Sequence, residues 1–136
     1  MGMITARRIA PFFLVAGLAI TAAACGSSSS DSASDTDLSA DAAAGKTYYT
    51  EHCQGCHSVD GTSKAGPTFK GLSGSTVQLA SGQSVTADDV YLTKSIEDPS
   101  ADIVKGYQKI MESAIPAGSV SEQQAKQIVA YIDTLK

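Results

Sequence analysis

Residues 53–57 read Cys53-Gln54-Gly55-Cys56-His57, and this pentapeptide determines how the rest of the chain is interpreted. Two cysteines three positions apart, with a histidine directly after the second, form the attachment motif of c-type haem. The two thiols can add to the two vinyl groups of one porphyrin, while the adjacent imidazole points at the iron. The motif predicts one covalent haem c, bound through Cys53 and Cys56, with His57 as an iron ligand.

Two other chemistries use paired cysteines. A zinc site needs four ligands in tetrahedral geometry, and beyond the pentapeptide the domain adds only His52 as a soft ligand. A thioredoxin-like dithiol lies at the amino end of a helix, where the helix dipole lowers the thiol pKa. Here a helical pattern precedes Cys53 instead. Both alternatives can be tested by the geometry of the folded chain.

The sixth iron ligand separates an electron carrier from a haem protein that binds small molecules. Met1 and Met3 lie in a predicted leader, so Met111 is the only thioether of the mature chain. His52 is next to Cys53 and cannot easily reach the opposite haem face. A lone methionine often serves as core packing. Because Met111 lies in a predicted loop between two helical patterns, we predict that it is the second axial ligand.

The amino end has the three regions of a signal peptide. Arg7 and Arg8 precede an apolar run over 9–20, and small residues over 21–24 precede Cys25. The run is shorter than the about 20 residues that span a bilayer, which disfavours a permanent transmembrane helix. The segment resembles the lipobox of bacterial lipoproteins, although alanine stands where leucine is usual. We predict lipidation of Cys25, with cleavage but no lipidation as the alternative.

Residues 26–40 read GSSSSDSASDTDLSA and are too polar to fold alone, so they predict a flexible tether with a root-mean-square span of about 20 Å. The predicted organisation is a signal peptide over 1–24, a lipidated cysteine and tether over 25–40, and one globular domain over 41–136. The domain would lie at the outer face of the bacterial cytoplasmic membrane, held by its lipid anchor.

Composition excludes several classes of function. A chain of 136 residues is too short for a multidomain enzyme. From Cys25 onward 14 acidic residues face 8 lysines, a net charge of −6, and the whole chain is 6% aromatic with no tryptophan. A nucleic-acid-binding surface needs the opposite charge balance, so no nucleic-acid partner is expected.

The domain reads as helices separated by glycine-rich loops. Asp41 is predicted to cap a first helix that runs toward Cys53, and residues 58–85 are predicted as loop with at most a short extended pair. Thr86 with Asp89 is predicted to open a second helix, which ends before Pro99.

Two more helices are predicted further along the chain. Ser100 would begin a short helix that ends at about Tyr107. A capping box of Ser121 and Gln124 would open the last helix. Its apolar stripe consists of Ala125, Ile128, Val129, Ile132 and Leu135.

Residues 41–136 resemble class I cytochrome c domains, and most closely those at the carboxyl end of some bacterial haem-copper oxidase subunit II proteins. The matching runs are GKTYYTEHCQGCH, GPTFKGLSGS, VTADDVYLTKSIEDPSADIVKGY and IVAYIDTL. The resemblance implies an all-α class I cytochrome c fold, with three to five helices around one haem. It also implies that Gly45 and Tyr49 pack across the last helix near Tyr131.

The resemblance further implies roles around the haem. The carbonyl of Pro67 would accept a hydrogen bond from the His57 ring, and Leu92 and Ile96 would line the haem. Met111 matches the axial methionine. In that family a proline usually follows this methionine, whereas this chain has Glu112. The chain also lacks the copper-binding domain and membrane hairpin of the oxidase subunit, so we expect a free-standing relative.

These observations predict a membrane-anchored monohaem cytochrome c that is an electron carrier and not an enzyme. It would pass single electrons from a quinol-oxidising complex to a terminal oxidase or reductase. One alternative is a fixed electron-transfer subunit of a respiratory complex. The other is a gas-binding or peroxidase haem protein in which Met111 is dissociated.

Overall fold

The computed structural model describes residues 38–136, so the predictions for the leader, Cys25 and most of the tether lie outside the described residues. The elements in chain order are α1 (Ala40–Tyr48), a π-helical turn (Tyr49–Cys53), β1 (Thr76–Gln78), β2 (Ser84–Thr86), α2 (Asp89–Glu97), α3 (Met111–Ala114) and α4 (Glu122–Ile132). The predicted helical architecture is confirmed. Within this part of the chain no helix is long and apolar enough to cross a membrane.

The first and last helices cross at very short range. A Cβ atom added at Gly45 of α1 would lie 1.9 Å from the carbonyl oxygen of Gln127 in α4, which is far inside van der Waals contact. One turn further on, the Tyr49 ring packs on Tyr131 of α4 with 5.5 Å between ring centroids. This is the crossing that the resemblance implied, and it requires glycine at position 45.

Helix α4 forms the centre of the core. The predicted capping box is present: the Ser121 side chain accepts from the Gln124 backbone, and the Gln124 side chain accepts from the Ser121 N–H. Five of its residues are buried, and Leu135 packs against the same cluster just after the helix. The buried residues of the helix are Ala125, Ile128, Val129, Tyr131 and Ile132.

The amino-terminal caps of α1 and α2 differ from the prediction. Ser39 caps α1, accepting from the Ala42 N–H at 3.2 Å, while Asp41 lies in the first turn. Asp88 caps α2 through the Tyr91 N–H, while Thr86 ends β2. In both places several polar residues that can cap stand close together, and backbone geometry selects one of them.

Two further predictions need correction. Residues 100–107 do not form a helix; they are turns, with an isolated bridge between Val104 and Leu79. Through that bridge and the hydrogen bond from the Ala80 N–H to the Ile103 carbonyl, residues 103–104 pair with the segment after β1 instead of forming helical hydrogen bonds. Met111 begins the one-turn helix α3 and does not lie in an irregular loop.

The loop predicted over 58–85 is mostly irregular, as expected, and includes a short extended element. Strands β1 and β2 pair antiparallel, with Val77 opposite Val85. Gly82 adopts φ +90° in the connection between them. The hairpin contributes Val77 and Leu79 to the core.

We expect Gly45→Ala to destabilise the holoprotein by about 1–3 kcal/mol or more, because the added methyl group forces α1 away from α4. The control is Gly55→Ala, since a Cβ at position 55 meets no heavy atom within 4 Å. Denaturant midpoints of the two variants and the parent measure the difference. Equal midpoints for both variants would show that the crossing tolerates a side chain.

Candidate functional site

The cysteine motif follows directly from the end of the first helical segment. The π-helical turn ends at Cys53, which is buried, and the N–H groups of Cys56 and His57 both donate to the Cys53 carbonyl, at 3.1 and 2.9 Å. Cys56 is exposed. This tight turn places two thiols and an imidazole on one short stretch of backbone, at the edge of a cleft.

The imidazole of His57 is buried and held from several sides. Its Nδ1 atom lies 2.8 Å from the carbonyl oxygen of Pro67, the pair that the resemblance implied. The ring stacks on Phe69 at 4.6 Å with an interplanar angle of 26°. The Tyr49 hydroxyl donates to the His57 carbonyl at 3.0 Å. Donation from Nδ1 to Pro67 leaves Nε2 as the nitrogen that can bind a metal.

Gly66 allows this arrangement. A Cβ at Gly66 would lie 2.4 Å from Cε1 of the His57 ring, so the backbone passes directly against the imidazole. The Gly66 N–H donates to the Cys56 carbonyl at 2.9 Å, which ties the segment carrying Pro67 to the cysteine motif. A glycine is therefore needed before Pro67 for the ring to keep its place.

All seven predicted residues of the haem site line one cleft with largely apolar walls. They come from the cysteine turn, the following loop, α2 and α3, which are distant in sequence. The residues are Cys53, Cys56, His57, Pro67, Leu92, Ile96 and Met111. Cys25, the predicted lipidation site, lies outside the described residues.

The cleft fits a haem in its donor set and in its walls. Two thiols of the cysteine motif, an imidazole with a free Nε2 and a thioether line one cavity whose other walls are mainly aliphatic and aromatic. A family model described as cytochrome c matches residues 42–136. The chain belongs to the cytochrome c family.

A search of solved structures finds cytochrome cH from Methylobacterium extorquens, which is 23% identical, with a TM-score of 0.46. The match covers 68% of this chain and 97% of that one. A search of curated proteins gives no match.

Family membership confirms the cytochrome c fold, the covalent haem c and the electron-carrier class, which is not an enzyme class. When bound, haem c supplies an iron that gains and loses one electron. The pentapeptide is therefore a haem c attachment motif, as its spacing predicted.

The electrostatics of the cysteine turn disfavour a thioredoxin-like dithiol. Burial, and then the neighbouring Cys56, raise the pKa of Cys53 to about 11. A redox-active dithiol needs a lowered thiol pKa. The zinc alternative also lacks support, because residues 38–136 contain no group of three His, Cys, Asp or Glu side chains that could hold a metal ion.

The imidazole itself is kept in its neutral form. Burial lowers the pKa of His57, and the charge of nearby Lys64 lowers it further, while the Pro67 hydrogen bond acts in the opposite direction. Lys64 Nζ donates to the carbonyl of Gln54, between the two cysteines, at 2.6 Å. A neutral imidazole is the form that binds iron.

Several residues of the cleft were missed from sequence. Phe69, which stacks on His57, comes two residues after Pro67, and Tyr91 comes directly before Leu92; both line the cleft. An aromatic residue two positions after the predicted proline contact was an available signal for Phe69. Ile132 of α4 also lines the cleft, and its place in the apolar stripe of the last helix marked it only as core.

We expect Tyr49→Phe to lower the free energy of unfolding by about 1 kcal/mol, because it leaves the buried His57 carbonyl without its donor. Tyr48→Phe is the matched control, since the Tyr48 ring packs against the exposed His52. Denaturant titration of both holoproteins gives the comparison. A loss no larger for Tyr49→Phe than for Tyr48→Phe would contradict a role for this hydrogen bond.

Proposed function

We propose that this cytochrome is a membrane-anchored carrier of single electrons between a quinol-oxidising complex and a terminal oxidase or reductase. The observation that supports the proposal most directly is that His57 and Met111, far apart in sequence, line the same apolar cleft. A histidine and a methionine together fill both axial positions of a haem iron and raise its potential.

Each part of the site has a defined task in this proposal. Cys53 and Cys56 would hold the haem through thioether bonds, and His57 would ligate the iron through Nε2. Pro67 orients the imidazole by accepting from Nδ1, as outer hydrogen-bond partners of metal ligands do. Met111 would supply its thioether sulfur as a second ligand of the iron.

The walls of the cleft would keep water away from a bound haem. Leu92 and Ile96 of α2 are buried and line the cleft together with Val77 of β1. An apolar, water-poor surrounding disfavours the extra positive charge of the ferric state, which raises the potential, and it limits solvent rearrangement when the charge changes. Both effects suit a carrier that exchanges electrons and makes no bonds.

The described surface favours a mobile carrier over a fixed subunit. A permanent subunit interface needs a substantial apolar face. Among the residues that the structure describes, the large apolar side chains that are exposed are Val90 and Ile110, at 77% and 44%. Ile110 also lines the haem cleft, which leaves Val90 as the exposed side chain of this kind away from it in the described part of the chain, and single exposed apolar side chains are ordinary on protein surfaces.

Charge indicates the kind of docking surface that the partner would have. Three lysines pair with carboxylates: Lys94 with Asp102, Lys109 with Glu112, and Lys126 with Glu122. These contacts reduce the positive field that those lysines could present, while the chain from Cys25 onward is net acidic. We therefore propose a basic docking patch on the partner, with an association rate that falls as salt increases.

The anchor is proposed from the sequence alone. A lipid on Cys25 would hold the domain at the outer face of the cytoplasmic membrane, and the tether would end at Ser39, the cap of α1. The proposed kinship with oxidase-linked cytochrome domains rests on the sequence runs given above. It fits a terminal oxidase as electron acceptor.

The distal ligand provides the central test. We expect ferrous holoprotein to keep its visible spectrum when carbon monoxide is added at neutral pH, whereas Met111→Ala binds carbon monoxide at once. The variant should also lose on the order of 0.1 V of potential, part of the about 0.8 V range that axial ligands span. Ready binding by the unaltered protein would favour the gas-binding alternative.

Removal of the lipid site tests the anchor. We expect Cys25→Ala to move the holoprotein from the membrane fraction to the soluble exported fraction, because one lipidated residue carries the attachment. Ser27→Ala, two positions away, should remain in membranes. If Cys25→Ala also stays in the membrane fraction after a high-salt wash, the result would contradict the lipid anchor and favour the fixed-subunit alternative.

A further inference from the structure

The turn that carries Met111 makes few contacts of its own with the rest of the fold. Its cap residue, Ile110, offers no side-chain hydrogen bond. The backbone bonds of α3 are local: the N–H of Ser113 donates to Ile110, and the N–H of Ile115 donates to Met111. A helix of one turn has little stability by itself, so something else must hold Met111 in place.

The chain is fixed on both sides of this turn. Before it, the N–H of Lys105 donates to the carbonyl of Gln78 in β1 at 2.8 Å. After it, the N–H of Gly118 donates to the carbonyl of Glu97 in α2 at 2.9 Å. The intervening segment could still move as a loop, because neither bond acts on Met111 itself.

Glu112 connects the turn to the end of α2. Its carboxylate accepts a hydrogen bond from the Ser100 hydroxyl, and Lys109 Nζ lies 3.6 Å from the same Glu112 oxygen. Within residues 38–136, no other hydrogen bond joins α3 to a segment distant in sequence. This contact is therefore the polar restraint on the turn that begins with Met111.

Ser100 is a firm point of attachment. The N–H of Ser100 donates to Asp98 Oδ1 at 3.3 Å, and the N–H of Asp98 donates to the Lys94 carbonyl at 2.8 Å. Pro99 between them is buried, and its ring fixes φ. The backbone of Ser100 is therefore tied to the carboxyl end of α2, the helix that forms one wall of the cleft.

We propose that Glu112 is a positioning residue that holds Met111 at the haem through its hydrogen bond with Ser100. The inference rests on the proposed function, because it takes Met111 as the iron ligand. In the resembling family a proline in this place would restrict the backbone directly. In this chain a side chain anchored to the end of α2 provides the restraint from outside the turn.

The first experiment compares holoproteins with Glu112→Ala, Ser100→Ala and both changes, using imidazole as a competing ligand for the ferric iron. We expect each single change to raise imidazole affinity about three- to tenfold and to weaken the sulfur-to-iron charge-transfer band. The double variant should match the single ones, because all three lack the same contact. Glu112→Gln keeps an acceptor for Ser100 and should stay near the parent.

The matched control is Glu122→Ala. Glu122 is also an exposed carboxylate paired with a lysine, Lys126, but it lies at the start of α4. Imidazole affinity should be unchanged in this variant. Parent-like affinity in Glu112→Ala, or additive effects of the two single changes, would overturn the proposal.

Hydrogen exchange separates this inference from the proposed function. We expect the Ile115 amide, which donates to Met111 in α3, to exchange several-fold faster in Glu112→Ala than in the parent. This result does not depend on iron ligation. Imidazole binding to the parent as strong as to Met111→Ala would refute Met111 ligation, and unchanged Ile115 exchange would refute the restraint by Glu112.

Discussion

The close crossing of α1 and α4 at Gly45 is the constraint on which the haem site depends. Because the backbone of Gly45 lies directly against Gln127, the continuing helical turn places Tyr49 on Tyr131. The hydroxyl of Tyr49 then reaches the His57 carbonyl. The absence of a side chain at Gly45 thus permits the close helix crossing, and Tyr49 connects that crossing to the turn that carries the cysteine motif.

The proximal side of the site is built from short-range sequence. His57, Gly66, Pro67 and Phe69 lie within thirteen residues, and they form the hydrogen bond, the close backbone approach and the stacking that fix the imidazole. Short loops have a small entropic cost of closure. This half of the site can therefore be rigid even in a domain whose core is small.

The sequence predicted the parts of the fold that local chemistry determines. The cysteine motif, the capping box at Ser121 and the apolar stripe of α4 each depend on residues a few positions apart, and their structural counterparts are present. The helix proposed over 100–107 was wrong because Val104 pairs with Leu79, a contact that no local pattern records. The caps of α1 and α2 were misplaced for a smaller reason, since neighbouring polar residues compete for one position.

The side of the haem site that carries Met111 is built from contacts between residues distant in sequence. Met111 reaches the cleft from a segment that is tied to β1 at Lys105 and to α2 at Gly118, and the hydrogen bond from Ser100 to Glu112 is the long-range contact within its own turn. Sequence alone identified the residue by elimination among thioethers, and it could not show what holds it. In the proposed site, local bonds hold the proximal ligand His57 and distant contacts hold the proposed distal ligand Met111. Surface changes near α3 would then alter the proposed iron–sulfur bond while the covalent haem attachment stays intact. The potential of a carrier with these two ligands would therefore be adjustable from the protein surface without loss of its cofactor.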